Sequence, residues 1–316
     1  MKTDRLVKLQ RVVISGMGAV TPLGNNLPES WANIRAGVSG AGPITKFDAS
    51  RFKTRFACEI KHFRPEDYIE AKEVKRLDPC CHYSLAAAAE AIHDAGLNPA
   101  TVDRTRVGII WASGVGGLGT IDNQICAYAA HRGTPRFSPF FITRLLTNMS
   151  AGLIAVKYGF QGINFTPVSA CASSAHAIAD ALTYLRLGRA EVIVAGGTEA
   201  CITESGVGGF NAMRALSERN DDPAHASRPF DRDRDGFVIG EGAGALVLET
   251  LDHAQRRGAR IYAEITGAGF SADAYHMTAP QPDGNGVAMA MADALHDAGL
   301  PPEAIDYANV HATSTV

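Results

Sequence analysis

Thr166-Pro-Val-Ser-Ala-Cys171-Ala-Ser-Ser-Ala-His176-Ala-Ile178 is the stretch on which the reading of this chain turns. Up to Cys171 it reads as a short strand. Beyond it a helix places Ala175, Ile178, Ala179, Leu182 and Leu185 on one stripe and stops at Gly188. A strand running directly into a helix is the repeating joint of an α/β layered fold. The same joint sets a thiol against the unsatisfied amides and positive dipole end of the helix, which favours thiolate. Ser169, Ala170, Ala172 and Ser173 are small and leave room for a substrate, and amides at the corner could receive a developing oxyanion. Cys58, Cys80, Cys81, Cys126 and Cys201 lack this setting and read as structural. His176 lies five positions along the helix, turned about 140° from Cys171, and reads as a packing histidine.

Outward from this joint the pattern repeats. Arg11–Ser15, Arg106–Trp111, Glu191–Val194, Gly244–Glu249 and Arg260–Ile265 read as strands, several apolar at successive positions as in sheets covered on both faces. Asp78-Pro79 reads as an N-cap with proline at the first helical position, opening a helix that ends at Gly96. A third helix is expected from about Gly286 to Ala298, stopped by Gly299. The polar stretch Asp252–Arg260 is the best internal seam and divides the chain into residues 1–252 and 253–316.

Composition narrows the function classes. The chain has 316 residues, 46% hydrophobic and 20% charged, with net charge −3, which excludes a disordered tail and the basic footprint of a nucleic-acid binder. No apolar run approaches the roughly 18 residues of a membrane helix. The N-terminus lacks a signal-peptide core, and six cysteines without framework spacing point to a reduced, cytoplasmic chain. Gly114-Val-Gly-Gly-Leu-Gly119 fits a dinucleotide fingerprint, but no carboxylate follows about 20 residues on, so it reads as a plain glycine turn. Asp231-Arg-Asp-Arg-Asp-Gly236 resembles half a calcium loop, yet Gly242 stands where the bidentate carboxylate belongs. Near the other end, Asn309-Val-His-Ala-Thr-Ser-Thr315 sets a histidine at the close of a strand. By spacing alone it reads equally as a catalytic donor or as a satisfied core histidine.

Taken together, Ser15–Gly24, Val168-Ser-Ala-Cys-Ala-Ser-Ser174, Ala195-Gly-Gly-Thr-Glu199, Ala215-Leu-Ser217, Ser227-Arg-Pro-Phe-Asp231, Arg234-Asp-Gly-Phe-Val238, Ser271-Ala-Asp-Ala-Tyr-His-Met277 and His311-Ala-Thr-Ser-Thr315 form an ordered series. In these blocks, over essentially the whole chain, the sequence resembles the β-ketoacyl-acyl carrier protein synthases of the type II elongating kind. The resemblance implies a thiolase-like five-layer α-β-α-β-α fold of two similar halves, with a homodimer formed through the first half. It implies Cys171 as the nucleophile that takes an acyl chain from acyl carrier protein, and His311 as a donor to the enolate left when malonyl carrier protein loses CO2. Thr313 and Thr315 match positions that hold the pantetheine arm. Phe210 and Ile121 match positions near the acyl tunnel. Lys72, Lys75, Arg76 and Arg214 match the docking surface for the acidic carrier protein. Neither a cofactor nor a metal is implied.

Two departures from the family pattern stand out. Ala312 replaces a usual glycine, which costs about 1 kcal/mol if the position needs positive φ. The family's Lys-Ser-x-x-Gly-His and Gly-Phe-Gly-Gly-Thr-Asn segments do not occur in these 316 residues. The second half is therefore expected to be truncated, and residues 1–316 alone are expected to fall short of a competent synthase. The alternative carried forward is a partner subunit of the same fold, either non-catalytic or a polyketide-pathway ketosynthase. Non-catalytic partners replace the nucleophile, however, whereas Cys171 is present. A papain-like protease is excluded by the missing Cys-Gly-x-Cys-Trp signature and by the position of the cysteine in the chain.

Overall fold

The computed structural model describes residues 8–316. Its strands are β1 (Val12–Val20), β2 (Gly42–Pro43), β3 (Phe56–Ala57), β4 (Val107–Ala112), β5 (Asn164–Phe165), β6 (Val192–Glu199), β7 (Gly242–Thr250) and β8 (Ala263–Ile265). The helices are α1 (Leu27–Arg35), α2 (Ala71–Val74), α3 (Pro79–Asp94), α4 (Leu118–Ala130), α5 (Phe141–Leu145), α6 (Met149–Tyr158), α7 (Ser173–Arg186), α8 (Glu204–Ala212), α9 (Leu251–Arg256) and α10 (Asn285–Ala298). Six strands form one mixed sheet in the order β5-β4-β6-β7-β1-β8. β4 is parallel to β5 and β6, while β7 is antiparallel to β6 and β1, and β8 is antiparallel to β1. β2 and β3 form a separate two-stranded ribbon.

The apolar strands are uniform in sequence because both faces are covered, and pleating sorts their side chains between two layers. Ile109, Trp111, Val192 and Val194 pack with the alanines of α3 and with Ala151 and Ile154 of α6. Ile110, Ala112, Ile193 and Ala195 pack on the opposite face with Ala177, Ala181, Leu182 and Leu185 of α7. The α7 stripe thus differs from the expected one: Ala175 is exposed, and Ala177 and Ala181 take the sheet contact, where small side chains let the helix lie close.

α3 follows its sequence signals. Asp78 caps it by accepting the Cys80 amide at 3.1 Å, and Gly96, at φ +58°, ends it. Its approach to β1 requires glycine: a β-carbon at Gly18 would fall 2.2 Å from the Ala87 carbonyl oxygen. The β1–β7 pairing shifts register between Ile14 and Gly16, leaving Ser15 on a bulge. The Ser15 hydroxyl there donates to Glu249, a fully buried carboxylate at the end of β7.

The expected seam at 252–260 is folded. α9 occupies it, and its His253, at 2.5 Å, and the following Arg257, through Nε at 2.8 Å, reach back to Glu249. Residues 253–316 also hold to the rest through β8 on β1 and through the Arg186–Asp297 ion pair, 2.7 Å, between α7 and α10. One expectation fails: Asn309–His311 is not the end of a strand. A strand needs an edge to pair with, and residues 305–316 meet none among the described residues.

Candidate active site

β1, β4, β5 and β6 all point their carboxyl ends to one edge of the sheet, the edge at which β7 begins. In open α/β sheets that edge is where ligand sites form. A cavity of about 390 Å³ lies there, lined by the residues that follow these strands: Val20–Pro22 after β1, Ser113 and Gly114 after β4, Ala170 and Cys171 after β5, and the end of β6 through Glu199.

Cys171 is exposed at this cavity on a short turn, Ala170–Ala172, that leads into α7. The strand before it is shorter than the sequence suggested: pairing covers only Asn164 and Phe165, and residues 166–169 run as an extended loop. That loop lets the chain reverse through Ala170, whose φ of +51° is left-handed, a conformation a non-glycine residue adopts only under constraint. The constraint is Ser173. Its Oγ accepts the Ser169 amide at 2.8 Å and donates to the Ala170 carbonyl at 2.7 Å. The amides of Ala172 and Ser173 donate to Ser169 O and Ala170 O, so these two corner N–H groups serve the turn. His176 packs as expected, half-buried with its ring 5.3 Å from Phe270, and Nδ1 lies 2.6 Å from Ser169 Oγ.

Two carboxylates missed at the sequence level line the same cavity. Glu199 accepts Ser113 Oγ–H at 2.8 Å and the amides of Gly114 and Val115 at 3.0 and 3.3 Å. Glu241, with its side chain fully buried, pairs with Lys46 and accepts the Ile60 amide at 2.9 Å. A lone carboxylate closing an apolar strand, as in Val192–Glu199, is the signal that could have found the first.

The remaining predicted residues are dispersed. His311 is exposed and is not among the residues lining the Cys171 cavity. Its segment is nonetheless anchored. Buried Ser314 accepts the Arg228 amide at 3.1 Å through Oγ and the Gly236 amide at 3.0 Å through its carbonyl. Ala312 does have positive φ, +37°. Thr313 and Thr315 face each other, Oγ1 to Oγ1 at 2.9 Å. Phe210, on α8, stacks edge-on against Phe237 at 5.1 Å. Ile121, on α4, is half-buried and outside the Cys171 cavity.

The cationic run is weaker than it reads. Lys72 pairs with Glu70 and Arg76 with Glu73, each at 2.7 Å, whereas Lys75 and Arg214 form no ion pair among the described residues. Arg76 also lies over the Phe140 ring. Among the other cysteines, Cys126 is exposed on α4, contrary to a core role. Cys201 is buried, and burial pushes its thiol up to about 12.

Comparison with known proteins bears directly on this arrangement. The family description "Beta-ketoacyl synthase, N-terminal domain" matches residues 9–254, and "Beta-ketoacyl synthase, C-terminal domain" matches residues 262–316. The chain is 47% identical over 306 residues to 3-oxoacyl-[acyl-carrier-protein] synthase 2 of Synechocystis sp., covering 97% of this chain and 73% of that protein. A β-ketoacyl synthase structure from Burkholderia phymatum superposes with a TM-score of 0.88 at 34% identity, covering 98% of this chain and 75% of that one. A type II polyketide ketosynthase, solved with its acyl-carrier protein and bound to the hexaketide, superposes with a TM-score of 0.86 at 31% identity, covering 97% and 74%. Among the described residues no helix is long and apolar enough to cross a membrane.

Proposed function

The chain belongs to the β-ketoacyl synthase family, and from that premise we propose that it elongates acyl chains as a 3-oxoacyl-acyl carrier protein synthase of fatty-acid synthesis. The observation that carries the reading is Cys171, exposed on a left-handed turn at the start of α7 and opening into a cavity at the carboxyl ends of the sheet.

In the first step Cys171 Sγ attacks the thioester carbonyl of an acyl carrier protein. The carrier's thiol leaves with a proton, and the acyl group stays on sulfur. In the second step malonyl carrier protein loses CO2, and the resulting enolate carbon attacks the Cys171 thioester. The sulfur–acyl bond breaks, and a 3-oxoacyl carrier protein two carbons longer leaves. His311 is assigned as a donor to the enolate oxygen, a role that suits imidazole. Thr313 and Thr315 are assigned to the pantetheine arm, and Phe210 and Ile121 to the acyl chain. The identity of 47% to a 3-oxoacyl-[acyl-carrier-protein] synthase 2, against 31% to the polyketide ketosynthase, favours elongation over polyketide supply.

Carrier protein docks at Lys75 and Arg214, with Lys72 and Arg76 contributing around their own ion pairs. A second copy of the chain covers the exposed apolar side chains Ile125, Tyr128, Phe137, Phe140, Ile142 and Leu146 on and around α4 and α5. The reading also carries the division into residues 1–252, which hold the nucleophile, and 253–316, which hold His311. The reading also takes the chain as cytoplasmic, supported by six cysteines without framework spacing.

The test is intact mass after incubation with acyl carrier-protein thioester. One acyl group is expected on the wild type and none on Cys171→Ala. Equal acylation of both would remove Cys171 from the mechanism.

A further inference from the structure

We propose that Glu199 is a positioning residue that fixes the Ser113–Gly116 wall of the Cys171 cavity and so sets the fit of the incoming acyl thioester. The proposal rests on the reading of Cys171 as the acyl acceptor.

β4 and β6 are neighbours, with Ala112 opposite Gly197, so Ser113 and Glu199 emerge side by side at the edge of the sheet. Past that edge the backbone of 113–116 leaves the ladder, and its amides have no strand to donate to. Glu199 collects them. One carboxylate oxygen accepts Ser113 Oγ–H at 2.8 Å and Val115 N–H at 3.3 Å, and the other accepts Gly114 N–H at 3.0 Å. Ser113 Oγ in turn accepts Gly116 N–H at 2.9 Å, so four consecutive residues hang on one side chain. No lysine, arginine or histidine forms an ion pair with Glu199 among the described residues, so its bonding is spent on this loop.

The loop is pressed against the nucleophile turn. A β-carbon on Gly114 would fall 2.8 Å from Glu199 Oε2 and 3.5 Å from the Ala170 carbonyl oxygen. Gly114 therefore lies close to both Glu199 and Ala170, and Cys171 is the next residue in the chain. A displacement of the wall by an ångström changes the space in which a thioester must meet the sulfur, and misplacements of that size cost about 100-fold in rate. Glutamine matches glutamate in shape but offers one acceptor oxygen, so it cannot hold both arms of the loop.

The experiment compares wild type, Glu199→Gln and Ser113→Ala in two reactions of Cys171: acylation by an acyl carrier-protein thioester, and alkylation by iodoacetamide, which is too small to sense the wall. For Glu199→Gln the acylation kcat/KM is expected to fall roughly 10- to 100-fold, with alkylation and thermal midpoint close to wild type. Ser113→Ala is expected to give a smaller fall, and the double variant one no larger than Glu199→Gln alone, because both residues act through one network. Unchanged acylation in a folded Glu199→Gln protein overturns the proposal, as does a parallel loss of acylation and alkylation. If Glu199→Gln does not fold, Ser113→Ala decides: selective loss of acylation supports the proposal and no loss overturns it. Failure of the wild type to be acylated overturns the nucleophile reading and the proposal with it.

Discussion

The Ser173 hydroxyl donates to the Ala170 carbonyl at 2.7 Å while accepting the Ser169 amide at 2.8 Å, and so holds the left-handed residue that precedes the nucleophile. Ser173 is itself buried. Ser173→Ala takes the acceptor from the Ser169 amide and leaves the Ala170 carbonyl with the Ser173 amide alone, and is expected to cost about 1–3 kcal/mol. Urea denaturation checks the stability, and acylation of Cys171 is expected to slow in the same variant. A variant as stable as wild type would show that the turn does not depend on this hydroxyl.

Left-handed backbone at a residue with a β-carbon has a measurable cost. Ala170 and Ala312 both have positive φ, and glycine removes the clash at the expense of a more mobile unfolded chain. Ala312→Gly is expected to raise stability by up to ~1 kcal/mol, read as a higher thermal midpoint. A lower midpoint would mean that the Ala312 methyl makes packing contacts that outweigh the strain.

Acid stability is expected to depend on Glu249. Burial by itself would raise its carboxyl, but hydrogen bonds from Arg257, His253 and Ser15 hold it down at about 2. A depressed folded value means that the unfolded chain takes up the proton first. The contribution is therefore complete above the unfolded value near pH 4.5 and is lost as pH falls toward 2. Its size is on the order of 3 kcal/mol. Glu249→Gln is expected to lower stability at pH 7 and to flatten the decline between pH 5 and 3. Denaturation curves in which both proteins lose stability identically over that range would sink the assignment.

Cysteine labelling separates the six thiols by access. Cys171 is expected to react first with a cerulenin-like epoxide, because it alone lines the cavity. Cys126, also exposed, is expected to compete only for small reagents such as iodoacetamide. Cys201 is expected to stay unmodified in the folded protein, since burial raises its thiol to about 12. Peptide mapping with epoxide chiefly on Cys80 or Cys201 would contradict this order.

Docking is expected to depend most on the cations without ion pairs. Charge reversal at Lys75 or Arg214 is expected to weaken apparent affinity for carrier-protein substrate and to shrink its salt dependence, while a small pantetheine thioester reacts normally. Reversal at Lys72 is expected to do less, because Glu70 already neutralises it. Equal losses on both substrates would point to misfolding instead.

Much of this architecture was legible because local chemistry announces it. Asp78-Pro79 opens α3, Gly96 and Gly299 stop helices, and the unbroken apolar run of β4 declares a strand covered on both faces. Cys171 was legible because a strand–helix joint among small residues is a local pattern. Glu199 was not, since its role exists only once β4 and β6, 80 residues apart in sequence, lie side by side. On α7 the expected Leu182 and Leu185 do pack on the sheet, but Ala177 and Ala181 join them in place of Ala175, a choice set by interlayer distance. His311 illustrates the converse: its motif is clear, but a strand needs a neighbour that local sequence cannot supply.

The placement of β1 has a consequence for biosynthesis. Among the described residues it is the first strand in chain order, yet the strands it pairs with there are β7 and β8. Its ladder therefore stays open until residues 242–265 have been made. At roughly 5–20 residues per second that wait is on the order of tens of seconds. Through that interval a nascent apolar edge, Val12-Val-Ile14, has nothing of its own to pair with. Shelter for β1 thus waits on β7 and β8, the latest-made strands of this sheet among the described residues.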